Sequence, residues 1–242
     1  MINIKKNIEN KLGKDQTQFL NHSKNYLIGN FATQSLSFLS IPIFTRLLLP
    51  NEYGLIAIVN SITQIGTILM LLNFHGALAR YYHEKDGYFS TFLGSITVFL
   101  FFYNILFISC MYYFKDSFAT FFNVDSKLFF LGIINGFIGL FTTLYLSYLQ
   151  TSQKSKKFAI ISFVRSILTL IVAIIWVISL KQNKYLGRIY SGVLINGIMF
   201  IYSLYNIIKI SIFKIDFKKI KYAINFGVPL INSLPILRTL FN

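Results

Sequence analysis

The sequence predicts an all-α, polytopic membrane helix bundle, with six transmembrane helices and an incomplete seventh, and three observations carry that prediction. Hydrophobic residues make up 55% of the 242 residues and aromatic residues 17%, with 26 Phe among them, while charged residues are held to 13%. A soluble domain carries about a quarter charged residues and still turns much of its surface to water at this size, so it has no place for so many Phe, Ile and Leu. The apolar residues also come in runs of about twenty, the length a helix needs to cross roughly 30 Å of hydrocarbon. These runs are continuous, whereas the strands of a membrane barrel are segments of about ten residues alternating apolar with polar.

Residues 1–25 are polar and basic, and the first apolar run behind them is too long for a signal-peptide core and lacks a small-residue cleavage pattern. An uncleaved cytoplasmic N-terminal segment is expected. The first span, Tyr26 to Leu49, stops at Pro50, which has no amide donor. Asn51 is expected to cap the second span, with Glu52 at its positive end, giving a tight helical hairpin. The second span is Tyr53 to Phe74, the third Phe89 to Phe114, the fourth Leu128 to Leu149, the fifth Phe158 to Leu180 and the sixth Gly187 to Ile208. Residues 26–208 are therefore read as a six-helix bundle and 209–221 as a basic cytoplasmic linker. A further apolar stretch, 222–242, carries Pro229, Pro235 and Arg238. Gly132 with Gly136, and Ala57 with Ser61, have the small-xxx-small spacing of close helix contacts. The single cysteine, Cys110, lies inside a span and excludes a disulfide framework or a Cys-rich metal site.

The net charge of +15 could suggest nucleic acid, but its distribution argues otherwise. Lys5, Lys6, Lys11, Lys14 and Lys24 precede the first span; Arg80 and Lys85 follow the second; Lys154, Lys156 and Lys157 follow the fourth; Lys209, Lys214, Lys218, Lys219 and Lys221 follow the sixth. These fifteen fall on one side of the predicted bundle, against six on the other: Arg46, Lys115, Lys127, Lys181, Lys184 and Arg188. The positive-inside rule then places the N terminus and the linker after the sixth span in the cytoplasm, with the Lys181 to Arg188 segment fitting poorly. Topology and attraction to anionic lipid explain these lysines. A nucleic-acid surface would gather its basic residues on one folded face.

All eight acidic residues fall in predicted loops or termini, so no carboxylate sits at membrane depth of the kind a proton- or sodium-coupled exporter uses. No spacing resembles a metal site, a Ser/His/Asp set or a phosphate-cradling glycine loop, which argues against an enzyme and against a cofactor. Arg165 stands out: it lies about 10 Å into the fifth span at the helical rise, where a centred charge costs about 2.5–3.5 kcal/mol. Either a polar partner compensates it or its side chain snorkels to the headgroups. Arg46 and Arg80 lie at the edges of spans, where snorkelling or a topology role suffices. If the three turn inward, they form a basic track at three depths. Asn30, Asn60, Asn73, Asn104, Asn135 and Asn196 recur in the spans. They suit interhelical hydrogen bonds or, alternatively, sugar hydroxyls.

The stretch "FTRLLLPNEYGLIAIVNS", with Pro42, Thr45, Arg46, Pro50, Glu52, Tyr53 and Gly54, resembles the first hairpin of the bacterial polysaccharide or O-antigen repeat-unit flippases (Wzx-type), within the multidrug/oligosaccharidyl-lipid/polysaccharide exporter superfamily. "GALARYYHEKD" from Gly76, "QTSQKSKKFAIISFVRSIL", "YLGRIYSG" and "INFGVPLI" are similar to later segments of that family in the same order, from about Tyr26 to Ile231.

The resemblance implies two six-helix bundles with cargo passing between them, so 222–242 would be the incomplete start of a second bundle and this chain a truncated, frameshifted or split half. It implies translocation of a polyprenyl-pyrophosphate-linked oligosaccharide across the bacterial inner membrane, with lipid and other polysaccharide assembly proteins as neighbours. Guanidinium forks match pyrophosphate oxygens, so by analogy Arg46, Arg80 and Arg165 take a cationic-cavity role, and Asn30 joins them as a substrate-binding residue. A non-transporting scaffold or assembly subunit of a polysaccharide export system is the alternative. A drug exporter is disfavoured by the missing in-span carboxylates, and a membrane glycosyl- or acyltransferase would have only His75, His83 and Glu84 as clustered candidates.

Overall fold

A computed structural model describes residues 14–84 and 88–232, with side chains from Ser23 onward except at 228 and 230–232. The expected N-terminal segment before Lys14 and the end of the apolar stretch beyond Asn232, including Pro235 and Arg238, lie outside the described residues. Within them the chain forms nine helices: α1 (Lys14–Leu47), α2 (Pro50–Leu71), α3 (Phe74–Glu84), α4 (Phe89–Tyr113), α5 (Lys115–Phe122), α6 (Ser126–Thr151), α7 (Ser155–Ser179), α8 (Tyr185–Ile210) and α9 (Phe217–Asn232). Six are long and apolar enough to cross a membrane: the Ser23–Leu47 part of α1, and α2, α4, α6, α7 and α8 in full. They fall within a few residues of the six runs read from the sequence. The protein is an all-α multi-pass membrane bundle.

Polar punctuation ends the helices where the sequence supplies it. Pro50 opens α2, but the cap is Leu49 rather than Asn51: the Glu52 carboxylate accepts from the Leu49 amide at 3.1 Å, while the Asn51 side chain accepts from the Glu52 amide at 2.8 Å. Proline is favoured in this first position because its missing N–H would be unpaired there in any case. Asp125 caps α6 by accepting from the Lys127 amide at 3.0 Å. Between α2 and α3 the chain turns through Leu72 (φ 50°) and Asn73 (φ 54°). Left-handed backbone at a bulky leucine is uncommon, and this turn separates a span from the short amphipathic α3.

The core is organised around α6, the most buried of the spans. It packs on α2 and α8, and on α3 and α4 toward the end of the bundle where α1 begins; α7 joins α8 to α1. Gly132 and Gly136 set the α2–α6 contact. A Cβ at Gly136 would lie 3.1 Å from the Thr63 carbonyl and 3.1 Å from the Thr67 hydroxyl. Thr63 donates across the contact to the Gly132 carbonyl at 3.1 Å. The facing residues are thus Val59 to Thr67; Ala57 and Ser61, expected to form a close-packing face, are exposed instead. Asn104 of α4 is buried and donates to the Met70 carbonyl at 3.2 Å, the interhelical role expected of an asparagine in a span.

At the near end, where α1 begins, the chain after α8 is strapped across α4. The Ile212 amide donates to the Ser90 carbonyl at 3.0 Å, and the Ser95 hydroxyl donates to the Lys214 carbonyl at 2.7 Å. The strap lies so close that any side chain at Gly94 would collide with the Ile212 carbonyl. It delivers α9 onto α3 and α4. Glu84 joins α3 to α9, accepting from Arg80 Nε at 2.5 Å and from the Tyr222 hydroxyl at 2.5 Å.

Candidate functional site

Two cavities open between α2, α6, α7 and α8, and they share three residues: Asn135, Arg165 and Asn196. The first, about 280 Å³, extends toward the far end of the bundle and is lined by Ser37 and Ser40 of α1, Asn60 of α2, Ser166 and Thr169 of α7, and Arg188 of α8. The second, about 340 Å³, extends toward the near end past Thr63, Gln64 and Thr67 of α2 and Gly139 and Thr143 of α6. Helical spacing produces this lining. Ser37 and Ser40 are three apart, as are Ser166 and Thr169, while Gly192 and Asn196, like Thr63 and Thr67, are four apart, so each set occupies one face of its helix.

Arg165 occupies the junction. It lies about 15 Å along α7 from Ser155 at the helical rise, near the middle of a 25-residue helix, which is deeper than the sequence-based span boundary implied. Its side chain does not snorkel outward. Arg165 Nε donates to Asn196 Oδ1 at 3.0 Å, and Asn196 Nδ2 donates to Asn135 Oδ1 at 2.7 Å. A guanidinium from α7 is thereby tied through α8 to α6 by side-chain bonds. Of the two explanations open for Arg165, polar compensation is the one the geometry supplies. Thr169 returns its hydroxyl to the Arg165 carbonyl at 2.8 Å, so the charged group that α7 turns to the cavities here is the arginine head, beside Ser166.

Arg188 is the residue that reading the sequence missed. It was counted with Lys181 and Lys184 among the charges of one side, at the very start of the sixth span, yet α8 already begins at Tyr185, and Arg188 lines the first cavity with its guanidinium carbon 5.4 Å from the centre of the Phe44 ring. The poor fit of this segment to the charge distribution was the available signal. Among the described residues, no carboxylate forms an ion pair with Arg165 or Arg188. The cavities therefore hold two guanidiniums that no carboxylate of the described residues neutralises.

The other residues singled out from the sequence lie elsewhere. Arg46 is exposed in the last turn of α1, at the far end. Arg80 is exposed on α3 at the near end, paired with Glu84 and stacked 4.9 Å from the centre of the Phe226 ring. Asn30 is exposed on α1, where its backbone carbonyl accepts from the Thr33 hydroxyl at 2.8 Å. Of the four, Arg165 lines the cavities; Arg46, Arg80 and Asn30 lie outside both linings. Among the described residues no group of three or more His, Cys, Asp or Glu side chains could hold a metal ion.

Six apolar helices, five of which line polar cavities that carry arginine at bilayer depth, define a multi-pass membrane protein with a cationic polar interior. The chain matches the family described as polysaccharide biosynthesis protein over residues 43–241, and it belongs to that family. It is a membrane protein of polysaccharide biosynthesis. No curated protein and no solved structure matches it significantly.

Proposed function

We propose that the protein is a Wzx-type flippase that moves a polyprenyl-pyrophosphate-linked oligosaccharide repeat unit across the bacterial inner membrane, with its N terminus in the cytoplasm. The observation that carries this reading is Arg165, held at the junction of two polar cavities on Asn196 and Asn135 with Arg188 lining the same space. An unneutralised charge at that depth costs about 2.5–3.5 kcal/mol on insertion scales. A polar chamber that receives an anion gives the charge a use, since guanidinium donors fit phosphate oxygens bidentately. The asparagine, serine and threonine side chains around it offer donors and acceptors for sugar hydroxyls. The sidedness follows from the excess of lysine at the near end, and in this reading the protein carries cargo without chemically altering it.

The test is reconstitution of the purified protein into vesicles with a radiolabelled polyprenyl-pyrophosphate oligosaccharide, scoring the label that becomes accessible to an impermeant enzyme on the other side. The reading predicts protein-dependent translocation that falls at least tenfold, about 1.4 kcal/mol in barrier, in Arg165→Met. Translocation that is absent altogether, or unaffected by Arg165→Met and Arg188→Met together, would favour a scaffold or assembly subunit instead.

A further inference from the structure

A second cationic cluster lies away from the cavities, where α6, α7 and α8 meet at the near end. Lys157 Nζ donates to Asn206 Oδ1 at 3.3 Å and stands 5.5 Å from the centre of the Tyr145 ring and 6.0 Å from that of Tyr202. Lys154 Nζ donates to the Tyr148 hydroxyl at 2.8 Å. Asn206 is itself fixed: its Oδ1 also accepts from the Tyr145 hydroxyl at 3.1 Å, and its Nδ2 donates to the Tyr202 carbonyl at 2.8 Å. Two ammoniums are thus positioned by neutral partners, and among the described residues no carboxylate pairs with either. Each ammonium has three donors and keeps some of them for a ligand. Both lysines also fall at the start of α7, where the helix end is positive and repels them, so the cluster as it stands calls for negative charge.

We infer that this cluster is a binding site for the phosphate group of an anionic phospholipid. Its level supports a lipid source: Lys154 and Lys157 flank the boundary of α7, the depth of the headgroups. Its surroundings support an acyl chain running down from it. Ile160 and Val164, three and seven residues beyond Lys157 on α7, are exposed, as are Ile198 and Ile201 before Tyr202 on α8. These residues continue from the cluster toward the bilayer centre, so an anionic head and an apolar tail meet matching surfaces. Basic pockets between spans on the cytoplasmic side suit such lipids.

The test uses the purified full chain in nonionic detergent, titrated with phosphatidylglycerol or phosphatidylcholine and read by native mass spectrometry. Wild type should retain phosphatidylglycerol in preference, and Lys154→Gln/Lys157→Gln should weaken retention on the order of tenfold. Lys218→Gln/Lys221→Gln, an equal loss of charge from exposed lysines of α9 at the same end, should leave it unchanged. Asn206→Leu, which keeps the charge but frees Lys157, should weaken retention by about threefold. Equal effects of the two lysine pairs, or no preference between the lipids, would overturn the inference. Displacement of bound lipid by millimolar inorganic phosphate would also overturn it, assigning the site to free phosphate rather than to a headgroup.

Discussion

Replacing Arg165 with Met should raise the stability of the protein while removing its function, and the structure sets the size of that opposition. The guanidinium costs about 2.5–3.5 kcal/mol at bilayer depth and recovers about 1–2 kcal/mol through its bond to Asn196. Met fills a similar volume without charge, and Asn196 Oδ1, left behind, still faces a cavity that water can enter. Arg165→Met is therefore expected to stabilise by about 1–2 kcal/mol, an upper figure because the cavity already hydrates part of the arginine. Asn196→Leu has the opposite sign: it removes the 3.0 Å bond to Arg165 and the 2.7 Å bond to Asn135 and leaves the charge in place, costing about 2 kcal/mol. The assay is equilibrium unfolding in mixed micelles, with the double variant closing the cycle. If Arg165→Met destabilised the protein by more than about 1 kcal/mol, the arginine would be a structural tie and the substrate argument would fail.

Gly136→Val forces a side chain against the Thr63 carbonyl and Thr67 hydroxyl, both 3.1 Å from its Cβ position, and should destabilise by about 1–3 kcal/mol. Gly192→Ala, whose Cβ would meet Asn135 Nδ2 at 3.8 Å, should stay within about 0.5 kcal/mol of wild type in the same equilibrium unfolding assay. Burial and the bond to the Glu84 carboxylate push the Tyr222 hydroxyl up to about 12 from its ordinary value near 10. The folded state thus favours the neutral phenol, so its contribution is complete below pH 10 and is lost as pH rises toward 12. The tyrosinate absorbance lost in Tyr222→Phe should titrate near 12; a difference titrating near 10 would remove the α3–α9 latch.

The six spans were legible because runs of about twenty apolar residues have one physical reading in a chain this poor in charge. The short helices were less so. Residues of α3 alternate Phe74, Ala77, Leu78 and Tyr81 on a buried face with Arg80 and Glu84 outside, a pattern too brief to register as a span. Close contacts were half legible: Gly132 and Gly136 announce a packing face, but nothing in sequence says that its partner runs from Val59 to Thr67 rather than through Ala57 and Ser61. Arg165 could be singled out by its depth, since a charge inside a span demands an explanation. Its partners could not, because Asn135 and Asn196 are 30 and 31 residues away and meet it only when α6, α7 and α8 pack. Arg188 was hidden by neighbouring lysines, which made it one more charge at the edge of a span, and the start of α8 at Tyr185 carries it a turn into the helix, where it lines the cavity.

In the proposed transporter, the space around Arg165 is a water-filled chamber within the bilayer that admits an anion. Ser166 lines it, and Cys110 is the one cysteine to be removed first. In a Cys110→Ser background, Ser166→Cys should react with an impermeant thiol reagent in membranes and be protected by pyrophosphate, while Ile201→Cys on the exposed apolar face of α8 should not react. Equal silence at both positions, or labelling of Ser166→Cys that pyrophosphate leaves unchanged, would contradict the account.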